Sequence, residues 1–235
     1  MKHFRLTLPA LACIAALAAC SQQESKNAAA SGAASQTAAA ASVPAAAHKI
    51  EGASVTVATA RGETAVPLKP ERIAVYDLGM IDTLSKLGVP IGASIDESRL
   101  DYLKDVIKDA KKAGTLFEPN YEALNEYQPQ LIITGSRTAK AFDELNKLAP
   151  TIEMTADTKN MKESAKQRID AFAKIFDKQA EADKLKAEID AAFDAAKQAA
   201  AGKGKGLVIL VNGGKMSAFG PDSRLGGWLH RDIGI

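Results

Sequence analysis

Two arginines carry the strongest chemical signal in this sequence. Arg137 follows the apolar run Leu131, Ile132, Ile133, Thr134 and stands beside Ser136. Arg224 stands beside Ser223, downstream of a second apolar run, Leu207, Val208, Ile209, Leu210, Val211. A guanidinium is always charged, weakly hydrated and shaped for planar, delocalised anions. Two of them projecting into one gap, each from its own half of the molecule, would favour an anionic ligand. The same positions also suit surface arginines paired with carboxylates, Asp222 being near Arg224. Other chemistry finds little support. His3, His48 and His230 are far apart, and no His, Cys and carboxylate cluster has metal-ligand spacing. No nucleophile elbow, phosphate loop or paired-acid motif is present, so no catalytic residue and no enzyme is expected. Gly213-Gly214 and Gly226-Gly227 do not have phosphate-loop spacing, and His230, beside Trp228 and Arg231, reads as a helix-surface residue.

Strands must place those arginines. Residues 55–59 alternate β-formers, Arg61-Gly62-Glu63 makes a turn, and residues 64–67 return, which predicts an edge hairpin. Residues 72–76 read as a buried strand, with Asp77 capping a helix over 79–87 that Gly88 stops. A short strand over 90–94 and a helix over 102–112 follow. A short helix opens at Pro119-Asn120-Tyr121-Glu122, the run 131–134 is a strand, and a helix over 141–148 leads to an extended segment over 151–154. Strands alternating with helices imply a mostly parallel sheet covered on both faces. Ligands of such sheets sit outside the carboxyl ends of the strands, and Tyr76, Ser94 and Arg137 all lie just past strand ends. Residues 161–201 contain no proline and are helical, but one helix would run about 60 Å. Asp177-Lys178-Gln179 is the expected break, with a second helix over about 179–200. The run 207–211 then opens another sheet. The fold class is α/β: one lobe, a helical spacer and the start of a second lobe.

The amino terminus points to export. Lys2 and Arg5 precede an apolar stretch that Leu17-Ala18-Ala19-Cys20 closes, the layout of a secretory signal. The stretch is shorter than the ~20 residues that span a bilayer. Leu-Ala-Ala-Cys resembles the lipobox of bacterial lipoproteins, which makes Cys20 the acylated first residue of the processed chain. Residues 21–47 are almost all small or polar and read as a disordered tether. Without Cys13 and Cys20 no cysteine remains for a disulfide or a thiolate metal site. A hydrophobic fraction of 46% with 25% charged residues is ordinary for a globular core. The formal charge of +2 gives a nucleic-acid partner no electrostatic support. The expected segments are therefore 1–19 signal, 20–48 lipidated cysteine and tether, 49–158 first lobe, 159–202 helices including a spine between lobes, and 203–235 the start of the second lobe.

These residues resemble a family. Pro119-Asn120-Tyr121-Glu122, followed by Gln128-Pro129-Gln130-Leu131-Ile132-Ile133, is similar to the "PN-x-E … KPDLII" pattern of helical-spine periplasmic binding proteins. So is the run 72–76 ahead of Leu84 and Gly88-Val89-Pro90. The stretch from Gly214 through Ser217-Ala218-Phe219-Gly220-Pro221 to Ser223-Arg224 resembles the ferric-siderophore branch, and most closely its ferric enterobactin-binding lipoproteins. The likeness covers roughly residues 49–235.

That resemblance implies two Rossmann-like lobes joined by a long helix, holding an iron(III)-siderophore complex between them. It implies ligand contacts at Arg137 and Arg224; Tyr76, just past a strand end, and Ser136, beside Arg137, are the further candidate ligand-binding residues. It also implies docking of Glu122 on the permease of an ABC transporter that an ATPase subunit drives. A carboxylate at Glu122 would equally be favoured by a helix amino terminus. Iron arrives already wrapped, so neither a cofactor nor protein metal ligands are expected. The protein would act as a lipid-anchored monomer of the periplasm or cell envelope. Haem, cobalamin or a hydroxamate siderophore is the alternative cargo, and an enzyme or a structural surface lipoprotein the alternative class. Family members continue for several tens of residues past the point that matches Ile235. The second lobe is therefore expected to be incomplete, with a lone strand whose face and edges are uncovered.

Overall fold

The structure is a computed structural model that describes His48, Ile50 and residues 52–223 and 226–235. Cys20, Arg224, the signal and nearly all of the tether lie outside the described residues.

The first elements are an antiparallel hairpin, β1 (Ser54–Thr59) and β2 (Gly62–Pro67), paired from Ser54 with Pro67 to Thr59 with Gly62. Period-two alternation sends Val57 and Val66 into the core. Arg61 at its turn fastens the hairpin to the main sheet. Its Nε lies 2.7 Å from Glu153 and its guanidinium 4.0 Å from the centre of the Phe142 ring.

The main sheet has five parallel strands, β3 (Ile73–Val75), β4 (Ala93–Ser94), β5 (Lys111–Lys112), β6 (Leu131–Thr134) and β7 (Thr151–Glu153). Their spatial order is β5-β4-β3-β6-β7. The chain starts at the centre, runs to one edge, then returns to build the other half. This is the Rossmann-like order, and the reversal between β3 and β6 creates a crevice at the strands' carboxyl ends. Every residue of β3, β6 and β7 is buried, as fits a sheet covered on both faces.

Helix α1 (Leu78–Lys86) joins β3 to β4 and packs against α2 (Asp101–Ile107). Asp77 caps α1 as expected, accepting from the Gly79 and Met80 amides at 2.9 and 3.2 Å. Helix α3 (Tyr121–Tyr127) packs against α4 (Phe142–Leu148), which a 3-10 turn over Ala139–Ala141 introduces. The expected helix over 102–112 is corrected: it stops at Ile107, and Lys111–Lys112 pairs with Ala93–Ser94 as an edge strand.

Helices α5 (Met161–Phe176) and α6 (Gln179–Ala200) break at Asp177, whose left-handed φ of 56° ends α5. Burial differs sharply between them. Helix α5 sinks Ile169, Phe172, Ile175 and Phe176 into the core, whereas α6 buries only Ala182. Three lysines hold α6 to α5. Lys162 and Lys166 both lie 2.8 Å from Asp190, and Lys186 lies 2.5 Å from Asp170. With 22 residues α6 is about 33 Å long, and it runs back antiparallel along α5.

The expected lone strand is also corrected. β8 (Val208–Asn212) pairs antiparallel with β9 (Lys215–Phe219) across a Gly213-Gly214 turn with φ of 56° and 74°. Both glycines in that turn supply the positive φ that a two-residue hairpin loop needs. Leu207, Val211 and Met216 remain exposed on it. Where a helix over 225–232 was expected, a π-helical turn spans Leu229–Ile233, and Leu225 is outside the described residues. Trp228 stands edge-on to Phe193 of α6 at 6.2 Å between ring centres. No helix among the described residues is long and apolar enough to cross a membrane.

Candidate ligand-binding cleft

A cleft of about 660 Å³ opens at the carboxyl ends of the parallel strands. Leu78 follows β3, Ile95, Asp96, Glu97 and Arg99 follow β4, Gly114, Thr115, Leu116 and Phe117 follow β5, and Arg137 follows β6. The topology thus brings four loops, far apart in sequence, to one rim.

Arg137 lies where the sequence placed it, exposed and lining the cleft, with Ser136 exposed beside it. Arg99 joins it from the β4 loop and was not foreseen. It stands five residues past β4, whereas Arg137 stands three past β6, and a basic side chain in the loop after a strand is the signal that marks it. Neither arginine makes an ion pair or side-chain hydrogen bond with another described residue. Two guanidiniums without a partner among the described residues give this concave surface chemistry that suits a delocalised anion. The lining also holds two carboxylates. Asp96 is committed to the loop, accepting from the Gly114 amide at 2.9 Å, and Glu97 is exposed.

Two expected rim residues are corrected. Tyr76 is fully buried, and its hydroxyl donates to the Ala113 carbonyl at 2.7 Å. Burial, with smaller contributions from Asp96 and Tyr121, raises its phenol well above the ordinary value, so it stays neutral. It supports the rim from beneath. Ser94 is also buried and donates to the Val75 carbonyl at 3.0 Å. A residue at or just past a strand end can still follow the pleat into the core.

The walls are fixed by polar contacts that leave the cleft face open. Thr138 Oγ1 donates to the Leu116 carbonyl at 2.7 Å and reaches the Tyr76 carbonyl at 3.2 Å, tying the β6 loop to the β5 loop and β3. At the chain reversal, a Cβ on Gly135 would fall 2.8 Å from Asp77 Cγ and 2.9 Å from its Cβ. Only glycine lets the two loops approach this closely. Arg168 of α5 donates to the Met154 carbonyl at 3.3 Å past β7. Burial lowers its guanidinium below the usual value and the Asp77 carboxylate partly offsets this; it remains charged.

Glu122 is exposed in the first turn of α3, away from the lining residues. Asn120 Oδ1 caps that helix by accepting from the Ala123 amide at 3.0 Å. Arg231 hydrogen-bonds the carbonyls of Pro221 and Lys159, which ties the segment after β9 to the start of α5.

Comparison with known proteins agrees with this architecture. Residues 73–235 match the periplasmic binding protein family. The whole chain is similar, at 35% identity, to the petrobactin-binding protein YclQ of Bacillus subtilis (strain 168) and covers 70% of it. The crystal structure of YclQ superposes with a TM-score of 0.73, over 78% of this chain and 66% of that one. The ferric-anguibactin-binding protein FatB of Vibrio anguillarum is 33% identical over 70% of this chain and 53% of its own length. The catecholate-siderophore binding protein VctP of Vibrio cholerae shares 30% identity and a TM-score of 0.71, over 77% of this chain and 66% of that one. The chain thus spans between about half and 70% of the lengths of these relatives. The family is one of binding proteins rather than enzymes, with two α/β lobes on a helical spine. Its Rossmann-like lobe and long α6 are what the described residues hold, and the chain belongs to the periplasmic binding protein family.

Proposed function

We propose that this chain is the solute-binding component of an ABC importer, and that it captures a ferric catecholate siderophore of the enterobactin type. The observation that carries this reading is the pair of guanidiniums, Arg99 and Arg137, without a partner among the described residues, on the cleft at the carboxyl ends of the sheet. A ferric tris-catecholate is a large, delocalised trianion with its iron fully coordinated. It asks the protein for positive charge and flat surface, and for no metal ligand. The similarity to the petrobactin-binding YclQ, the ferric-anguibactin-binding FatB and the catecholate-siderophore binding VctP supports this reading. In this reading Ser136 hydrogen-bonds the ligand beside Arg137, and Arg224 supplies a further guanidinium to it. Cys20 bears the lipid that holds the protein at the membrane of the cell envelope. Glu122, exposed and outside the cleft, docks on cationic side chains of the permease, and the ATPase subunit drives release.

Titration of the chain with ferric enterobactin, followed by Trp228 fluorescence, tests the cargo. Arg99→Ala and Arg137→Ala should each weaken binding by about tenfold or more, since charge-assisted contacts contribute about 1.5–3 kcal/mol each. Added salt should weaken it further. Binding that neither substitution alters, or tighter binding of a neutral hydroxamate complex, would overturn the assignment. Glu122→Gln should leave ligand affinity unchanged while slowing uptake in cells; loss of affinity in that variant would remove it from the docking role.

A further inference from the structure

The loop that carries Phe117 is built to hold its side chain in place. Its ring is 66% exposed on the cleft that Arg99 and Arg137 line. An exposed phenyl on a slack loop would fold back on neighbouring apolar surface, since burial of apolar area is favourable. Here the backbone is fastened at almost every residue. Gly114 donates to Asp96 Oδ1 at 2.9 Å, and its carbonyl accepts from the Asp96 amide at 2.7 Å. The Thr115 amide donates to the Glu118 carbonyl at 2.9 Å, while Thr115 Oγ1 accepts from the Phe117 and Glu118 amides at 3.2 and 3.0 Å. Thr138 holds the Leu116 carbonyl, and the Asn120 amide donates to the Ala113 carbonyl at 2.8 Å. Gly114 has a φ of 99°, and a Cβ there would fall 2.7 Å from the Asn120 nitrogen, so the turn is specific to glycine.

From this geometry we infer that Phe117 is a specificity-determining residue, a fixed aromatic platform on which a catecholate ring of the iron-bound ligand stacks. The inference rests on the siderophore reading and narrows it to chelators with aromatic arms. Offset or edge-to-face aromatic pairs gain interaction beyond what their buried area gives. A hydroxamate or hydroxycarboxylate arm has no π-face and would gain only the area. Because the loop is already ordered, stacking on it requires little further loss of conformational freedom. The neighbouring guanidiniums answer the charge of the complex, so ring and charge are read by different side chains of one rim.

The test uses the full chain with Phe117 replaced by Tyr, Leu and Ala, titrated with ferric enterobactin and with a ferric tris-hydroxamate. Arg137→Ala is titrated alongside. Phe117→Tyr should bind the catecholate as the native chain does. Phe117→Leu and Phe117→Ala should weaken it by about 2- to 12-fold, the range of an aromatic pair. Hydroxamate affinity should move by less than about twofold in the tyrosine and leucine variants, which keep the apolar area, and should fall less than catecholate affinity in the alanine variant. A leucine variant that binds the catecholate as tightly as phenylalanine, or equal losses on both ligands, would overturn the stacking role. Unchanged affinity with impaired uptake in cells would overturn it in favour of a protein contact. Failure of the native chain to bind either complex, or an Arg137→Ala variant without effect, would instead count against the siderophore reading beneath it.

Discussion

Replacing Gly135 with alanine probes the point where the two halves of the sheet meet. The new Cβ would lie 2.8 and 2.9 Å from Asp77 Cγ and Cβ, inside the distance that real Cβ contacts show. Gly135 does not sit at a left-handed φ, so the penalty is contact rather than backbone strain. Overpacking of this kind costs about 1–3 kcal/mol. Asp77→Gly removes every atom that the Cβ would strike. Glycine is a tolerable helix cap, so this change alone should cost only a few tenths of a kcal/mol. Gly135→Ala made in the Asp77→Gly background should therefore cost close to nothing, giving a coupling of about 1–3 kcal/mol in a double-mutant cycle. Urea unfolding of the four proteins measures it, and titration with a ferric catecholate provides a second readout. Arg137 lies two residues beyond Gly135, so affinity should fall in Gly135→Ala and return in the double variant. An equal cost in both backgrounds, or a harmless Gly135→Ala, would refute the close-approach argument.

Two further expectations concern the supports. Thr138→Val removes the hydroxyl that serves the Leu116 and Tyr76 carbonyls; it should cost about 1–3 kcal/mol in chemical unfolding and speed amide exchange in the 114–119 loop. Unchanged exchange there would show that the loop is held by other contacts. Asp190 lies between Lys162 and Lys166, whose hydrogen bonds hold its carboxyl below the usual carboxylate value. A depressed native value means the stabilisation is present above about pH 4 and is lost as pH falls through that lowered value. Native melting temperature should thus drop more steeply than that of Asp190→Asn below about pH 4, and parallel acid limbs would show that the pairs do not fasten α6.

Much of the lobe is legible in the sequence because its strands are short, apolar and punctuated. Leu131–Thr134 falls where the run of β-branched residues places it, and the break between α5 and α6 falls at Asp177. What escaped is informative. Lys111–Lys112 is an exposed two-residue edge strand whose side chains look like a helix tail, and only its pairing with β4 makes it a strand. In β9, Met216, Ser217 and Ala218 have weak strand preference, and their partner β8 decides the conformation. The Gly213-Gly214 pair carried a hairpin signal that was weighed as a phosphate loop instead. In the cleft, Arg137 was readable because it directly follows a strong strand. Arg99 was not, since loop reach rather than strand position brings it to the rim. Tyr76 and Ser94 were misassigned because the period of a strand places a residue along the chain but does not reveal how deep the sheet edge lies.

The reversal between β3 and β6 also bears on how such a protein acquires a new cargo. Arg99 is rooted in the half of the sheet built outward from β3, and Arg137 in the half that begins at β6. Each loop ends on its own strand, and Thr138 and Gly135 join the two halves through contacts that do not involve either guanidinium. A change of charge at either arginine therefore leaves the anchorage of the other intact. Selection can retune the two walls independently, one substitution at a time, while the scaffold keeps its stability.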